Sequence, residues 1–308
     1  MKNLLILLLL FTGVVSSQNK KYQGEDLSIT PLVDGTLLTP KTKGKMPLAI
    51  IISGSGPTDR DGNQQMLMNN SLRFLAEGLY TKNIATFRYD KRIVKQMKQG
   101  TVQEKDIRFD DFIDDAVAVL KYFKKDPRFS KIFIIGHSQG SLVGMVAAQN
   151  GADGFISISG AGQSIDQVII DQLTKQSPGL AENARTAFKE LRANGETSNY
   201  DPNLASIFRK DIQPFIFNWM QYDPKVEIAK LNMPTLIING DNDIQVQVSE
   251  AELLKDSEPD AEFKIIHNMN HILKKIDGDI VENTESYNKE DLPVMPELID
   301  IVGDFIVK

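Results

Sequence analysis

A serine with a glycine two positions away on each side lies at residues 136–140, which read Gly-His-Ser-Gln-Gly. This G-x-S-x-G spacing is typical of a nucleophile on a sharp turn between a strand and a helix, where larger side chains would keep the two elements apart. The apolar segment 131–135 predicts a strand before the turn, and segment 142–149 predicts a helix after it. We therefore predict that Ser138 is the nucleophile of an acyl-transfer reaction.

A base must accompany such a serine, because a hydroxyl group is a poor nucleophile at neutral pH. The chain contains three histidines: His137, His267 and His271. His137 is adjacent to the serine, and its side chain cannot easily turn back to accept the serine proton. The other two follow the last predicted strand, and loops beyond the carboxyl ends of parallel strands are where such sheets place their sites. Position along the chain therefore leaves both His267 and His271 as candidates for the base.

An acidic residue that orients the base follows the serine and precedes the histidine in chains of this type. Asp241 and Asp243 both follow a predicted strand at residues 235–239. Either aspartate could instead be a turn former, which is a common role at such positions. We favour Asp243 as the orienting acid, with Asp241 as the alternative.

Acyl transfer also requires backbone N–H groups that stabilise the negative charge developing on the carbonyl oxygen. The residue after the nucleophile, Gln139, is expected to provide one of them. The second is expected from the loop after the strand at residues 47–52, where Gly54 and Gly56 permit a close backbone approach. We predict that Ser55 is this second donor and that Ser55 and Gln139 form the oxyanion hole.

The elements that must position these residues alternate along the chain between strand and helix. A hairpin is predicted within residues 27–38, and the alternation after it indicates an α/β fold with a doubly wound, mostly parallel sheet. The alternation is interrupted at about residues 163–230 by successive helical patterns rich in aromatic residues, which we interpret as a lid. Within this lid, Phe215 and Trp219 are the predicted substrate-binding residues. The further strands are predicted at 84–89, 154–159 and 261–266, and the further helices at 72–80, 109–123 and 298–307.

Composition limits the classes of function. The 308 residues carry a formal net charge of -6, which disfavours nucleic-acid binding because phosphate contacts need a clustered positive surface. The absence of cysteine excludes a thiol nucleophile and thiolate metal sites. Residues 59–63 resemble the start of a calcium loop, but their glycine comes too early and Asn70 stands where a glutamate ligand belongs. We expect neither a metal nor another cofactor.

The amino-terminal residues 1–17 have the three-part pattern of a secretory signal peptide. Lys2 precedes an apolar run that is too short for a membrane-spanning helix, and small residues before Gln18 suggest a cleavage site. An uncleaved membrane anchor is the alternative interpretation. We expect residues 18–308 to form one exported domain, periplasmic or secreted, without stable membrane insertion. The sequence does not indicate an oligomeric state.

Several further segments occur in the order found in a bacterial α/β-hydrolase family of esterases and serine-aminopeptidase-like hydrolases, which the chain resembles. The resemblance implies the α/β-hydrolase fold, a helical lid, and Ser138, Asp243 and His271 as the triad. The chain departs from the family after Arg92, where a glycine-rich turn is usual. The segments, besides residues 136–140, are Gly-Ser-Gly-Pro at 54–57, Asp-Arg-Asp-Gly at 59–62, Arg-Tyr-Asp-Lys-Arg at 88–92, Gln-Pro at 213–214, Trp-Met at 219–220, Asp-Ile-Gln-Val at 243–246, Met-Asn-His at 269–271 and Leu-Lys at 273–274.

Three functions are compatible with these features. Hydrolysis of a small-molecule carboxylic ester through an acyl-enzyme intermediate is the favoured hypothesis, with Ser138, His271 and Asp243 as the catalytic residues. The same residues could serve an aminopeptidase or an aminoacyl-ester hydrolase that acts on a substrate with a free amine. A binding protein that has lost catalysis on a hydrolase fold is the third, although such proteins generally lack a member of the triad.

Overall fold

The computed structural model describes residues 22–308, and the β-strands in this part of the chain form one eight-stranded sheet. The strand order is β1-β2-β4-β3-β5-β6-β7-β8. The first hairpin pairs antiparallel with β4, and all later neighbours are parallel. The strands are β1 Gly24–Thr30, β2 Val33–Leu38, β3 Met46–Ile52, β4 Ala85–Tyr89, β5 Phe129–His137, β6 Gly154–Ile158, β7 Thr235–Gly240 and β8 Glu262–Ile266.

The central strands are buried on both faces. Every residue of β4, β6 and β7 is buried, whereas in the edge strand β8 only the last residue, Ile266, is buried. Continuous apolar runs such as Leu236–Ile238 suit a strand that is covered by helices on both sides, which explains why these strands lack a polar face. The predicted hairpin, the predicted strands and the mostly parallel α/β fold are confirmed.

Helices cover both faces of the sheet. Helices α1 and α12 pack on one face through residues such as Leu75 and Leu298. Helices α3, α4 and α10 pack on the other through residues such as Phe123, Val143 and Leu254. The helices outside the insertion between β6 and β7 are α1 Ser71–Thr81, α2 Arg92–Gln99, α3 Asp110–Phe123, α4 Gln139–Ala148, α10 Val248–Ser257, α11 Ile280–Ser286 and α12 Pro296–Val307, and a short 3₁₀ turn spans Glu104–Asp106.

A helical insertion separates β6 from β7 and occupies the segment predicted as a lid. It has its own core, in which Phe188 and Phe208 pack edge to face with 4.7 Å between ring centroids. The insertion is therefore a small folded layer rather than an irregular loop. It comprises α5 Ile165–Gln176, α6 Pro178–Asn194, a 3₁₀ turn at Pro202–Leu204, α7 Ala205–Phe208, α8 Gln213–Trp219 and α9 Pro224–Ile228.

The segment after Arg92, where the chain departs from the family pattern, forms α2 instead of a glycine-rich turn. Its first residue, Arg92, makes ion pairs with Asp111 at 2.6 Å and Asp115 at 2.8 Å on α3. These contacts tie α2 to the layer that packs beneath the sheet. A helix at this position places Ile93 and Met97 on the wall of a cavity.

The predicted signal peptide at residues 1–17 lies outside the described residues. Within residues 22–308, no helix has both the length and the apolar character needed to cross a membrane.

Candidate active site

Ser138 lies on the sharp turn between β5 and α4. Its backbone angles, φ 55° and ψ -123°, are unusual for a residue with a side chain, and such strain is common at functional sites. A Cβ atom at Gly136 would lie 2.3 Å from the Gly140 carbonyl oxygen, and one at Gly140 would lie 2.4 Å from the Ile52 oxygen. The two glycines are therefore required because backbone segments meet at this turn.

A buried hydrogen bond joins His271 to Asp243. The His271 Nδ1 atom lies 2.8 Å from the Asp243 Oδ2 atom, and both residues are buried. The other carboxylate oxygen accepts the backbone N–H groups of Gln245 and Val246, each at 2.8 Å. Because the carboxylate is fixed on both oxygens, it can hold the imidazole ring in one orientation.

Electrostatics keep the Asp243 carboxylate ionised. Burial on its own raises its pKa, but the attraction and hydrogen bond of His271 and the N–H groups of Val246 and Gln245 outweigh burial. The net result is a pKa below the ordinary aspartate value. An ionised, buried acid is what an orienting partner of a histidine base requires.

The second aspartate pairs with the second histidine. Asp241 lies 2.7 Å from His267, and its other oxygen accepts the Asn268 N–H. The His267 side chain is 81% exposed, whereas that of His271 is 6% exposed. Residues 22–308 thus contain two Asp–His pairs, and His271 of the buried pair lines the cavity at Ser138.

Ser138 and His271 line the same cavity, which has a volume of about 240 Å³. No hydrogen bond within residues 22–308 joins the serine hydroxyl to the imidazole. In unliganded enzymes such contacts are often long and tighten only when substrate binds. The arrangement therefore brings the predicted nucleophile and base to one space without placing them in contact.

Ser55 and Gln139 flank Ser138, as the oxyanion-hole prediction requires. Ser55 borders three cavities around the serine, and Gln139 borders two of them. Gln139 is the first residue of α4, so its N–H has no intrahelical partner. Among the hydrogen bonds of residues 22–308, none uses the backbone N–H of either residue. Both N–H groups are therefore free to bind an oxyanion, and this role remains a prediction.

The two charged motifs that the sequence shares with the family bind each other. Arg60 contacts both oxygens of Asp90, with 2.9 Å between Nη2 and Oδ2, and Asp61 accepts from Arg88 at 2.9 Å. Asp59 instead accepts the N–H groups of two residues of its own loop. These contacts fix the loop that carries Ser55 to the end of β4.

The resemblance of residues 59–63 to a calcium loop has no support in this geometry, because the Asp59 and Asp61 carboxylates already have protein partners. Across residues 22–308, no group of three or more His, Asp or Glu side chains is arranged to hold a metal ion.

Two further cavities lie on the side of the helical insertion: the smaller borders Ser138, and the larger, which is mainly apolar, borders Ser55 and Gln139. The smaller, about 230 Å³, is bordered by Leu142, Val168 and Trp219. The larger, about 560 Å³, is bordered by Phe112, Phe215 and again Trp219. Trp219 thus separates the two spaces, although it also stacks on Phe109 with ring planes 3° apart. The predicted substrate-binding residues therefore have both a cavity-facing and a packing role.

Two residues near the site were not assigned a role from the sequence. His137 donates from Nε2 to the His271 carbonyl at 2.7 Å, and burial lowers the pKa of His137 to about 4. Lys91 is buried behind the Ser55 loop and contacts Gln139. Both residues lie in motifs that the sequence shows, at 136–140 and 88–92. The direction of a side chain at the end of a strand, however, cannot be predicted from the sequence.

Comparison with known proteins shows which family the chain matches. A family model described as "Serine aminopeptidase, S33" matches residues 70–275. The chain belongs to this hydrolase family. The match spans the predicted nucleophile, acid and base, and the resemblance noted from the motifs is confirmed.

Individual relatives agree with this assignment. The esterase EstD of Thermotoga maritima is 28% identical over 306 residues, covering 94% of this chain and 68% of that protein. The structure of Est1E from Butyrivibrio proteoclasticus is 19% identical with a TM-score of 0.58, covering 92% and 99% of the two chains. Dienelactone hydrolase from Anabaena variabilis is 15% identical with a TM-score of 0.54, covering 93% and 97%. The structural likenesses show that the fold is that of the α/β-hydrolases.

Proposed function

We propose that this protein hydrolyses a small-molecule carboxylic ester through an acyl-enzyme intermediate. The observation that carries the proposal is the buried His271–Asp243 pair, whose His271 borders the same cavity as Ser138 on its strained turn. The kinship with an esterase, EstD, adds independent support.

In the first half of the reaction, the Ser138 hydroxyl attacks the ester carbonyl while His271 Nε2 takes its proton. Asp243 accepts the Nδ1–H hydrogen bond and so fixes the tautomer in which Nε2 is the base. The carbonyl oxygen becomes an oxyanion that the N–H groups of Ser55 and Gln139 bind. Collapse of this intermediate breaks the ester C–O bond, and the alcohol leaves with the proton from His271.

In the second half, water replaces the alcohol. His271 takes a proton from water, the resulting hydroxide attacks the acyl carbon, and a second oxyanion forms in the same hole. Its collapse releases the carboxylic acid and returns the proton to Ser138. No cofactor enters either half-reaction.

The walls of the two cavities favour an apolar acyl or aryl group over a substrate with a free amine. A carboxylate is the usual partner of a bound ammonium group, and the one carboxylate among the residues lining the two cavities, Glu104, borders only the larger. Glu104 is already paired with Arg209 at 2.6 Å. Within the described residues, ester cleavage therefore fits these spaces better than aminopeptidase activity does.

The test combines a serine-directed fluorophosphonate with a panel of acyl esters and amino-acid arylamides. We expect wild-type protein to be labelled at Ser138 and to cleave esters, and Ser138→Ala to lose both properties. Ser249→Ala, on the exposed surface of α10, is the matched control and should behave like wild type. Labelling that persists in Ser138→Ala would disprove the nucleophile assignment. Preference for arylamides would favour the aminopeptidase alternative, and a wild-type protein inert to every probe would indicate a binding protein.

We also propose that the protein is exported and processed. The support is the signal-peptide pattern of residues 1–17. Intact mass of the protein recovered from outside the cytoplasm should correspond to a chain that begins at or near Gln18. A mass that includes Met1 would contradict cleavage.

A further inference from the structure

Lys91 is a buried lysine at the carboxyl end of β4, next to the proposed oxyanion hole. It is 5% exposed, and within residues 22–308 no carboxylate forms an ion pair with it. Its Nζ atom donates to the Gly54 carbonyl at 2.7 Å and to the Gln139 Oε1 atom at 2.5 Å. The same ammonium lies 4.5 Å from the centre of the Phe112 ring. Its three N–H groups thus have two oxygen acceptors and one aromatic face.

The contact with Gly54 acts on the backbone N–H of Ser55. The Gly54 carbonyl and the Ser55 N–H belong to one trans peptide group, so they point in opposite directions. An ammonium fixed to the carbonyl therefore orients the N–H away from Lys91. Polarisation of a hydrogen-bonded peptide also makes its N–H a stronger donor.

The contact with Gln139 acts on the other side of the hole. Lys91 holds the side chain of the residue whose backbone N–H begins α4. One ammonium thus joins the loop after β3 to the first turn of α4, the two segments that must keep a fixed separation to bind one oxygen atom. Gly54 itself approaches closely, since a Cβ atom there would lie 3.1 Å from the Ser138 Cβ atom.

We propose that Lys91 is a positioning residue of the oxyanion hole, acting through the Gly54–Ser55 peptide and through Gln139. The proposal rests on the proposed ester hydrolysis. A positive charge behind both donors stabilises an oxyanion more than a neutral carbonyl, so its effect falls on the transition state. Burial lowers the pKa of Lys91 to about 7, so the charged form on which the effect depends predominates only below neutral pH.

The experiment compares Lys91→Met with wild type, with Lys98→Met on the exposed surface of α2 as the matched control. Four quantities are measured: kcat and KM for an acetyl ester, the rate of fluorophosphonate labelling at Ser138, and the Ki of a trifluoromethyl ketone that forms a serine-bound oxyanion. We expect Lys91→Met to lower kcat roughly 10- to 100-fold, since loss of a direct oxyanion donor costs about 100- to 1000-fold. KM should change less than about threefold, and the ketone Ki should rise in parallel with the fall in kcat.

Folding is monitored by thermal denaturation. If Lys91→Met does not fold, Lys91→Gln, which keeps N–H donors but lacks the charge, decides the question and should show a smaller loss of the same kind. An unchanged kcat, or a reduced kcat with an unchanged ketone Ki, would overturn the proposal. Failure of the wild-type protein to be labelled at Ser138 would instead overturn the proposed function, so the two failures are distinguishable.

Discussion

The imidazole of His137 donates a hydrogen bond from Nε2 to the backbone carbonyl of His271, at 2.7 Å, and the two rings lie 4.9 Å apart. The residue before the predicted nucleophile therefore fixes the loop that carries the predicted base. A carbonyl oxygen can only accept, so Nε2 must carry the proton. The neutral form of His137 satisfies this contact without a buried charge.

Stability should fall as pH decreases below neutrality because of His137. The folded protein keeps this ring neutral down to a pKa of about 4, whereas an unfolded histidine binds a proton near 6.5. The unfolded state thus binds more protons between these values, and protonation there favours unfolding. We expect wild type to lose on the order of 1–2 kcal/mol of unfolding free energy from pH 7 to pH 5 through this residue.

Urea denaturation at the two pH values measures the effect. His137→Gln retains a donor for the His271 carbonyl and cannot titrate in this range, so it should lose correspondingly less stability between pH 7 and pH 5. An equal loss in both proteins would show that His137 does not govern this pH dependence.

Replacement of the two aspartates should have unequal effects on turnover. Asp243→Asn removes the charge that fixes the His271 tautomer and should lower kcat by about 1000- to 10,000-fold. Asp241→Asn alters the exposed pair with His267 and should leave kcat within a few fold of wild type. Ester turnover under saturating substrate measures both. A large loss of kcat in Asp241→Asn but not in Asp243→Asn would show that Asp241 and His267, rather than Asp243 and His271, are the catalytic pair.

Truncation of the aromatic residues at the cavities should discriminate between acyl chains. Phe215→Ala and Trp219→Ala should raise KM more for long or aromatic acyl esters than for acetyl esters, because lost apolar contact costs about 25 cal/mol per Å². Phe217→Ala is the control on the same helix, since Phe217 packs against the core of the insertion as Phe215 and Trp219 do but borders neither cavity. If Phe215→Ala and Trp219→Ala raise KM equally for short and long esters, both residues have only a structural role.

Substitution of the second glycine of the serine turn should disrupt folding. A Cβ atom at Gly140 would lie 2.4 Å and 2.6 Å from the carbonyl oxygens of Ile52 and Ser53. These backbone atoms belong to β3 and the residue after it and cannot move freely, so Gly140→Ala should cost about 2–3 kcal/mol of stability. Gly179→Ala, which meets no atom within 4 Å, is the control and should not be destabilising. Similar Tm values for the two variants would contradict the steric argument.

The fold class and the type of site could both be predicted from the amino-acid sequence. Apolar runs such as 235–239 are sufficient to indicate a parallel sheet because strands buried on both faces need no polar positions. The glycines around Ser138 are sufficient to indicate the turn because the constraint there is local: a strand and a helix only a few residues apart must come close. Ser55, in the loop after β3, and Gln139, directly after the nucleophile, could be placed near the site from their positions, and their role as oxyanion-hole donors stays a prediction.

Which acidic residue contacts which histidine could not be predicted from the sequence and became clear from the folded arrangement. Asp241 and Asp243 follow the same strand, so their spacing does not say which of the two histidines each will contact. In the folded protein the Asp241–His267 pair is exposed, whereas the Asp243–His271 pair is buried and its His271 lines the cavity. Lys91 likewise reads in the sequence as one of several charged residues in a motif. Its contact with Gly54 depends on the neighbouring positions of β4 and β3 in the sheet, which are fixed by long-range pairing rather than by local sequence.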